Sequence, residues 1–224
     1  MNANSSICEP DLAKIVQPKI FPTLTQTPSL PEEPRSPTPE TVVHFSQQPL
    51  SYVELPTLHN SYQKFEIELS IKPESMNGLI LFNGQNAGTK SSRDYVSLGL
   101  KNGFIEYRFE LGSGPMIVMS ESQVELNSWI TIKISRHFRD GLLFVSNQGK
   151  TIGSTAPGKF VGLDLKGPLF IGAVPDFSPV SKACGFSEGF KGCISLFRVG
   201  SKSYDLMKGT TIGVSNCSVN ETFR

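Results

Sequence analysis

Arg93–Gly112, RDYVSLGLKNGFIEYRFELG, decides the fold, because it reads as one complete β-hairpin. Its turn is Asn102-Gly103. A two-residue type I′ turn needs φ > 0 at both central positions, and asparagine and glycine tolerate that conformation. Such a turn fixes the register: Lys101 faces Phe104, Leu100 faces Ile105, Leu98 faces Tyr107, Val96 faces Phe109, and Asp94 faces Leu111. One face then carries Val96, Leu98, Leu100, Ile105, Tyr107 and Phe109, an apolar set suited to a sandwich core. The other carries Tyr95, Ser97, Gly99, Lys101, Phe104, Glu106, Arg108 and Glu110, and is expected to face solvent. A one-residue slip would drive the charged set inward, so the register is strongly specified. It leaves the Asp94 carboxylate beside the backbone of Leu111, at the sheet rim.

The same grammar of short alternating runs cut by turn residues extends outward from the hairpin, from Val42 to about residue 206. It predicts strands over Val42–Ser46, Ser51–Leu55, Lys64–Lys72, Gly78–Asn83, Tyr95–Lys101, Phe104–Glu110, Met116–Met119, Trp129–Ser135, Gly141–Val145, Thr151–Ser154, Pro168–Gly172, Phe190–Val199 and Lys202–Tyr204. Helical periodicity does not persist anywhere. Many short antiparallel strands with frequent turn signals predict a two-sheet β-sandwich, and the absence of an internal repeat predicts one sandwich and not an array. In Trp129–Ser135 the isoleucines 130, 132 and 134 point to the core, and the lone Trp129 is expected to act as a packing anchor.

Residues 1–40 differ. PKIFPTLTQTPSLPEEPRSPTPE has a proline every few positions and no hydrophobic period, so it reads as an extended or disordered linker. Residues 41–217 form the folded domain and 218–224 a polar tail.

The whole chain has 224 residues, 38% apolar and 18% charged, with a formal net charge of +1. That balance gives no global electrostatic reason to bind nucleic acid. No run approaches the ~18 apolar residues of a membrane span, and MNANSSICEPDL lacks the apolar core of a signal peptide, so any secretion signal lies outside this sequence. The four cysteines, Cys8, Cys184, Cys193 and Cys217, show no CxxC pair or nearby histidine set of a zinc site. Cys193, in a predicted strand, and Cys217, in the tail, suit a disulfide that pins the C-terminus. Four cysteines allow three pairings, however, so Cys8 and Cys184 stay open. Glycosylation sequons at Asn4, Asn216 and Asn220 agree with a secreted, extracellular setting.

Five runs together, KFEIELSIKPESMNGLILFNGQ, RDYVSLGLKNGFIEYRFELGSG, NSWITIKISRHFRDGLLFV, GPLFIGAVPDF and GFKGCISLFRVGSKSYDL, closed by a late cysteine, resemble a laminin G-like domain over about residues 42–217. The resemblance is to the modules of perlecan-type basement-membrane proteoglycans. It implies an all-β jelly-roll sandwich with a Ca2+ site at one rim, made by two acidic or amide side chains and two backbone carbonyls. Position by position, it places the first side chain at Asp94 and the first carbonyl at Leu111, the pair the hairpin register joins. The second carbonyl falls at Gly162 and the second side chain at Asp164. Calcium takes six to eight oxygens, so four protein oxygens leave positions for a ligand's own acidic oxygens.

The resemblance further implies recognition of acidic glycans, such as those of a dystroglycan-like glycosylated cell-surface receptor or heparin-like chains, and of other matrix proteins. Lys90, Arg93, Lys159 and Lys166, close in sequence to the proposed ligands, are the candidate basic contacts. Arg136-His137-Phe138-Arg139 reads as a polar turn leading into Asp140-Gly141. One alternative is a calcium-independent structural adhesion module that binds proteins through its loops. A weaker one is a glycan hydrolase using Glu66 and Glu68, whose i, i+2 spacing puts two carboxylates on one strand face. No G-x-S-x-G elbow, P-loop or HExxH is present, and His44, His59 and His137 lie in no recognisable catalytic setting.

Overall fold

The computed structural model describes residues 42–85 and 94–217. Its strands in chain order are β1 (Val43–Phe45), β2 (Tyr52–Leu55), β3 (Lys64–Pro73), β4 (Gly78–Gly84), β5 (Tyr95–Lys101), β6 (Phe104–Glu110), β7 (Pro115–Met119), β8 (Ile130–His137), β9 (Asp140–Val145), β10 (Thr151–Thr155), β11 (Leu169–Ile171), β12 (Gly192–Val199), β13 (Lys202–Ser203), β14 (Thr210–Ile212) and β15 (Ser215–Asn216). One helix, α1 (Phe177–Cys184), separates β11 from β12, and a 3-10 turn spans Leu206–Lys208.

The strands form two antiparallel sheets, a jelly-roll sandwich. One runs β10-β9-β8-β3-β12-β1-β15 with β13 added to β12, and the other runs β14-β2-β11-β4-β5-β6-β7. The register of β5 on β6 follows the turn chemistry, pairing Lys101 with Phe104 and ending with Tyr95 opposite Glu110. Asn102 and Gly103 take φ values of 51° and 81°, the two positive values a type I′ turn requires. Val96, Leu98, Leu100, Ile105, Tyr107 and Phe109 are all fully buried in the core between the sheets. There they meet Ile67, Leu69 and Ile71 of β3 and Ile132 and Ile134 of β8.

The other face of the hairpin is not the solvent face its composition suggests. Tyr95, Ser97, Gly99, Glu106 and Glu110 are buried. Helix α1 and the following Phe186 supply the cover over much of this face, in a second apolar cluster that joins Tyr95 and Leu79 to Val174, Val180, Cys184 and Phe186. The Tyr95 hydroxyl donates to the Ala183 carbonyl at 2.9 Å, and Lys101 Nζ donates to the Cys184 carbonyl at 2.8 Å. Glu106 is held between Lys101 (2.8 Å) and Arg108 (3.1 Å). Glu110 is buried for a separate reason: its Oε1 accepts the backbone N–H groups of Gly112 and Gly114, closing the turn after β6.

Helix α1 has an N-cap, Asp176, that accepts from Ser178 N–H, and it ends at Gly185, whose φ of 78° suits only a residue without Cβ strain. Cys193 and Cys217 form a disulfide across a Cα–Cα distance of 6.0 Å. The link holds β15 against β1, where Cys217 N–H also donates to the Val42 carbonyl. Cys184 is a buried free thiol, and Cys8 lies outside the described residues. Trp129 stands just ahead of β8 and is 36% exposed, so it is not a core anchor; Lys72 Nζ lies 5.9 Å from its ring.

Candidate functional site

Asp94 immediately precedes β5 and Leu111 immediately follows β6, one step beyond the last paired residues of the hairpin. Gly162 and Asp164 lie in the segment between β10 and β11. That segment meets the hairpin's open end directly: Asp164 N–H donates to the Asp94 carboxylate Oδ2 at 2.8 Å. Both side-chain positions expected from the sequence therefore stand at one place on the rim. Asp164 is exposed, with Lys166 Nζ 3.1 Å from its Oδ2, an ion pair in water that is worth little. Lys159 is exposed on the same segment. Lys90 and Arg93 lie outside the described residues, as do Asn4 and Asn220. Asn216 is exposed on β15, the edge strand of its sheet.

The segment is pinned from inside by Arg136. Although it belongs to a run that reads as a polar turn, Arg136 is 2% exposed. Its Nη2 donates to the carbonyls of Tyr62 (2.7 Å) and Val161 (3.1 Å), and its guanidinium lies 5.9 Å from the Phe65 ring and 5.5 Å from the Phe109 ring. Leu163 N–H donates to the same Tyr62 carbonyl at 2.8 Å, so residues 161–163 are tied to the start of β3 on both sides of Gly162. The Tyr62 ring packs on Gly162, where a Cβ would come within 2.6 Å of the Tyr62 hydroxyl oxygen, so a larger residue there would displace that ring.

Opposing effects act on the Asp94 carboxylate. Partial burial raises the pKa of Asp94 above the ordinary 3.8, and the charges of Asp164 and Glu110 add to the rise. The hydrogen bond from Asp164 and the charge of Arg136 work in the opposite direction. Burial lowers the pKa of Arg136. Among the described residues no group of three or more His, Cys, Asp or Glu gathers, so a hard cation would have to draw on carbonyl oxygens as well. Neither the Leu111 nor the Gly162 carbonyl accepts a backbone hydrogen bond among the described residues. Two aspartates joined through a backbone N–H contact, with two carbonyls that accept no backbone hydrogen bond, offer oxygen donors of the hard type calcium takes.

Glu66 and Glu68 lie elsewhere, on β3. Glu68 is engaged by Lys133 at 3.3 Å and by Arg198, while Glu66 lines a shallow depression with Lys133, Ser135, Leu142, Phe144 and Thr151.

A family profile described as Laminin G domain matches residues 71–205. The mouse basement membrane-specific heparan sulfate proteoglycan core protein is 36% identical over 186 residues, which is 80% of this chain and 5% of that protein. Bovine pikachurin is 33% identical over 156 residues, 70% of this chain and 15% of that protein. The chain thus spans only a small part of these relatives. Among solved structures, domains LG4-5 of the mouse laminin alpha1 chain share the fold with a TM-score of 0.70 and 21% identity, covering 89% of this chain and 52% of that one. On the match of most of its sandwich to the family profile and the identity to the mouse proteoglycan, the chain belongs to the laminin G domain family.

Proposed function

We propose that this domain is an extracellular-matrix binding module that recognises an acidic glycan, or a glycosylated receptor carrying one, at a calcium-bearing rim. The observation that carries this reading is the 2.8 Å contact from Asp164 N–H to the Asp94 carboxylate, which joins the two acidic positions across separate segments of chain. Asp94 and Asp164 would hold the ion by their side chains, with Leu111 and Gly162 contributing carbonyl oxygens. A bound calcium supplies a positive pole with oxygen positions left over for a ligand's acid groups. The chain's own part is positional. Arg136 fixes residues 161–163 through Tyr62, and the Asn102-Gly103 turn sets the register that brings Asp94 to Leu111. Lys159 and Lys166 stand on the same segment, where they would add attraction for an anionic chain without forming a dense basic patch.

The relatives support the setting: their names place one of them in basement membrane. No helix among the described residues is long and apolar enough to cross a membrane.

Calorimetry with calcium chloride, on the full chain and on Asp94→Ala, tests the reading. Binding heat is expected for the parent chain and its loss for the variant. No heat from the parent chain would remove the metal and leave a calcium-independent adhesion module, and equal heat from the variant would move the site elsewhere.

A further inference from the structure

The rim carries more exposed apolar surface than a charged site needs. Tyr62 and Phe160 are each 60% exposed, and Val161 and Phe138 are about as open as Trp129. These residues come from three segments that backbone contacts draw together. Phe138 N–H donates to the Gln63 carbonyl at 2.7 Å, and Arg136 bridges the Tyr62 and Val161 carbonyls. The Tyr62 ring lies across Gly162, and a Cβ on Gly112 would meet the Phe160 ring at 3.5 Å. Each proposed carbonyl ligand, Gly162 and Leu111, therefore has an exposed aromatic ring at its flank. Phe138 stands in the two-residue turn between β8 and β9, where a hairpin calls for its positive φ of 54°, and its ring lies edge-on to His137 at 4.5 Å.

Two features decide what such a surface fits. Tyr62, Phe138 and Phe160 make no ring–ring contact with one another among the described residues, so they form separate small platforms and not the continuous apolar core of a protein interface. Phe160 lies on, and the Tyr62 carbonyl is bonded to, the segment that carries Lys159, Asp164 and Lys166, exposed charges that would be costly to desolvate against an apolar partner. A sugar ring meets both conditions, with a C–H face for an aromatic ring and a polar edge for the charges.

We propose that Tyr62, Phe138 and Phe160 form a stacking platform for the sugar rings of an acidic glycan whose acid group faces the pole at Asp94 and Asp164. This rests on the calcium-rim reading above and adds the residues that select ring faces over bare charge.

The test uses the full chain in calcium-containing buffer, with hexasaccharides of hyaluronan, unsulfated chondroitin and heparin as probes. Calorimetry gives affinities, and saturation-transfer NMR shows which sugar protons touch protein. Binding of at least one probe is expected, with contact at ring C–H protons and a roughly tenfold loss of affinity in Tyr62→Ala or Phe160→Ala. Both side chains are exposed, so the variants should melt with the parent chain; Phe160→Ala, which leaves Tyr62 and Gly162 untouched, should also keep its calcium heat. Binding of no probe, or binding unchanged in both variants, overturns the platform; a chain with calcium heat but no glycan affinity would leave the patch to a protein partner. Absence of calcium heat in the parent chain is the separate failure of the underlying rim reading.

Discussion

Removing the Cys193–Cys217 disulfide by the double substitution Cys193→Ala and Cys217→Ala should destabilise the domain by a predictable amount. The link joins residues separated by 24 positions. In the chain-entropy account, opening a loop of that size costs about 3.5 kcal/mol at 25 °C. The native state loses little else. β15 pairs with β1 at only two positions, Val43 with Asn216 and His44 with Ser215, so few hydrogen bonds depend on the link. Cys193 is buried, so alanine there costs a fraction of a side chain, and the double variant leaves no buried unpaired thiol. For a domain of this size each kcal/mol moves the melting temperature by roughly 2–4 °C, which gives a fall of about 7–14 °C. Urea unfolding followed by far-UV circular dichroism should show a lower midpoint with a slightly larger slope, because the unfolded chain is no longer cross-linked. Amide exchange should accelerate first at His44 and at position 217, whose N–H groups lie in the β1–β15 ladder. A loss below ~1 kcal/mol would refute the argument, showing that the unfolded chain is already compact around this segment.

Three further outcomes follow from the same geometry. Gly99→Ala should cost about 1–3 kcal/mol by overpacking, since its Cβ would lie 2.5 Å from the Phe186 ring and 2.7 Å from the Gly78 carbonyl oxygen; a thiol reagent should then modify Cys184, whose pKa burial raises and which stays inert in the parent chain. Arg136→Gln should weaken calcium binding while leaving Asp94 and Asp164 in place, because residues 161–163 lose their internal anchor; calorimetry showing unchanged or tighter binding would mean that the charge of Arg136 opposes the ion more than its hydrogen bonds position the ligands. Calcium affinity should fall on acidification beginning above the ordinary aspartate pKa of 3.8, since the folded-state pKa of Asp94 is raised. The sign for the metal-free domain is the reverse. A raised acid contributes stability that is fully present below its unfolded pKa and is lost as pH rises through its folded one, so an Asp94→Asn variant should flatten both trends in pH-dependent melts and calcium titrations.

The hairpin was legible because its information is local: a two-residue turn and strict alternation leave a single workable register. What covers its outer face was not legible, because α1 has only two turns and buries only Val180 and Cys184, too short a pattern to register as a helical period. Tyr95, Ser97 and Glu106 therefore look like surface residues until a segment some eighty residues away is docked over them. Arg136 was legible in principle. With Ile130, Ile132 and Ile134 inward, parity alone puts Arg136 inward and Trp129 outward; residue type pointed the other way, and alternation prevailed. At the rim, Asp94 beside Leu111 follows from register, whereas Gly162 and Asp164 came from resemblance. The contact that joins the two halves spans 70 residues, a separation that local pattern does not encode. Tyr62 and Phe160 gave no signal beyond an aromatic residue in a predicted loop.

The burial of both hairpin faces bears on where this domain can act. Strands β5 and β6 put one face in the core and much of the other under α1 and Phe186, so little of the flank is left open to a ligand. Their turn end is also committed: Gly103 N–H donates to the Met76 carbonyl, and the Asn102 carbonyl accepts from Gln123. The open end differs. Asp94 is only partly buried, the Leu111 carbonyl accepts no backbone hydrogen bond among the described residues, and the facing segment carries exposed Lys159, Phe160 and Asp164. A strand pair clamped on its faces and at its turn holds its remaining end rigidly, and rigid placement of a few oxygens is what a low-charge metal site depends on. Calcium affinity at the rim should therefore respond to Gly99→Ala, far along the strand, through loosening of the clamp. An unchanged affinity in that variant would show that Asp94 is positioned by Asp164 and its segment alone.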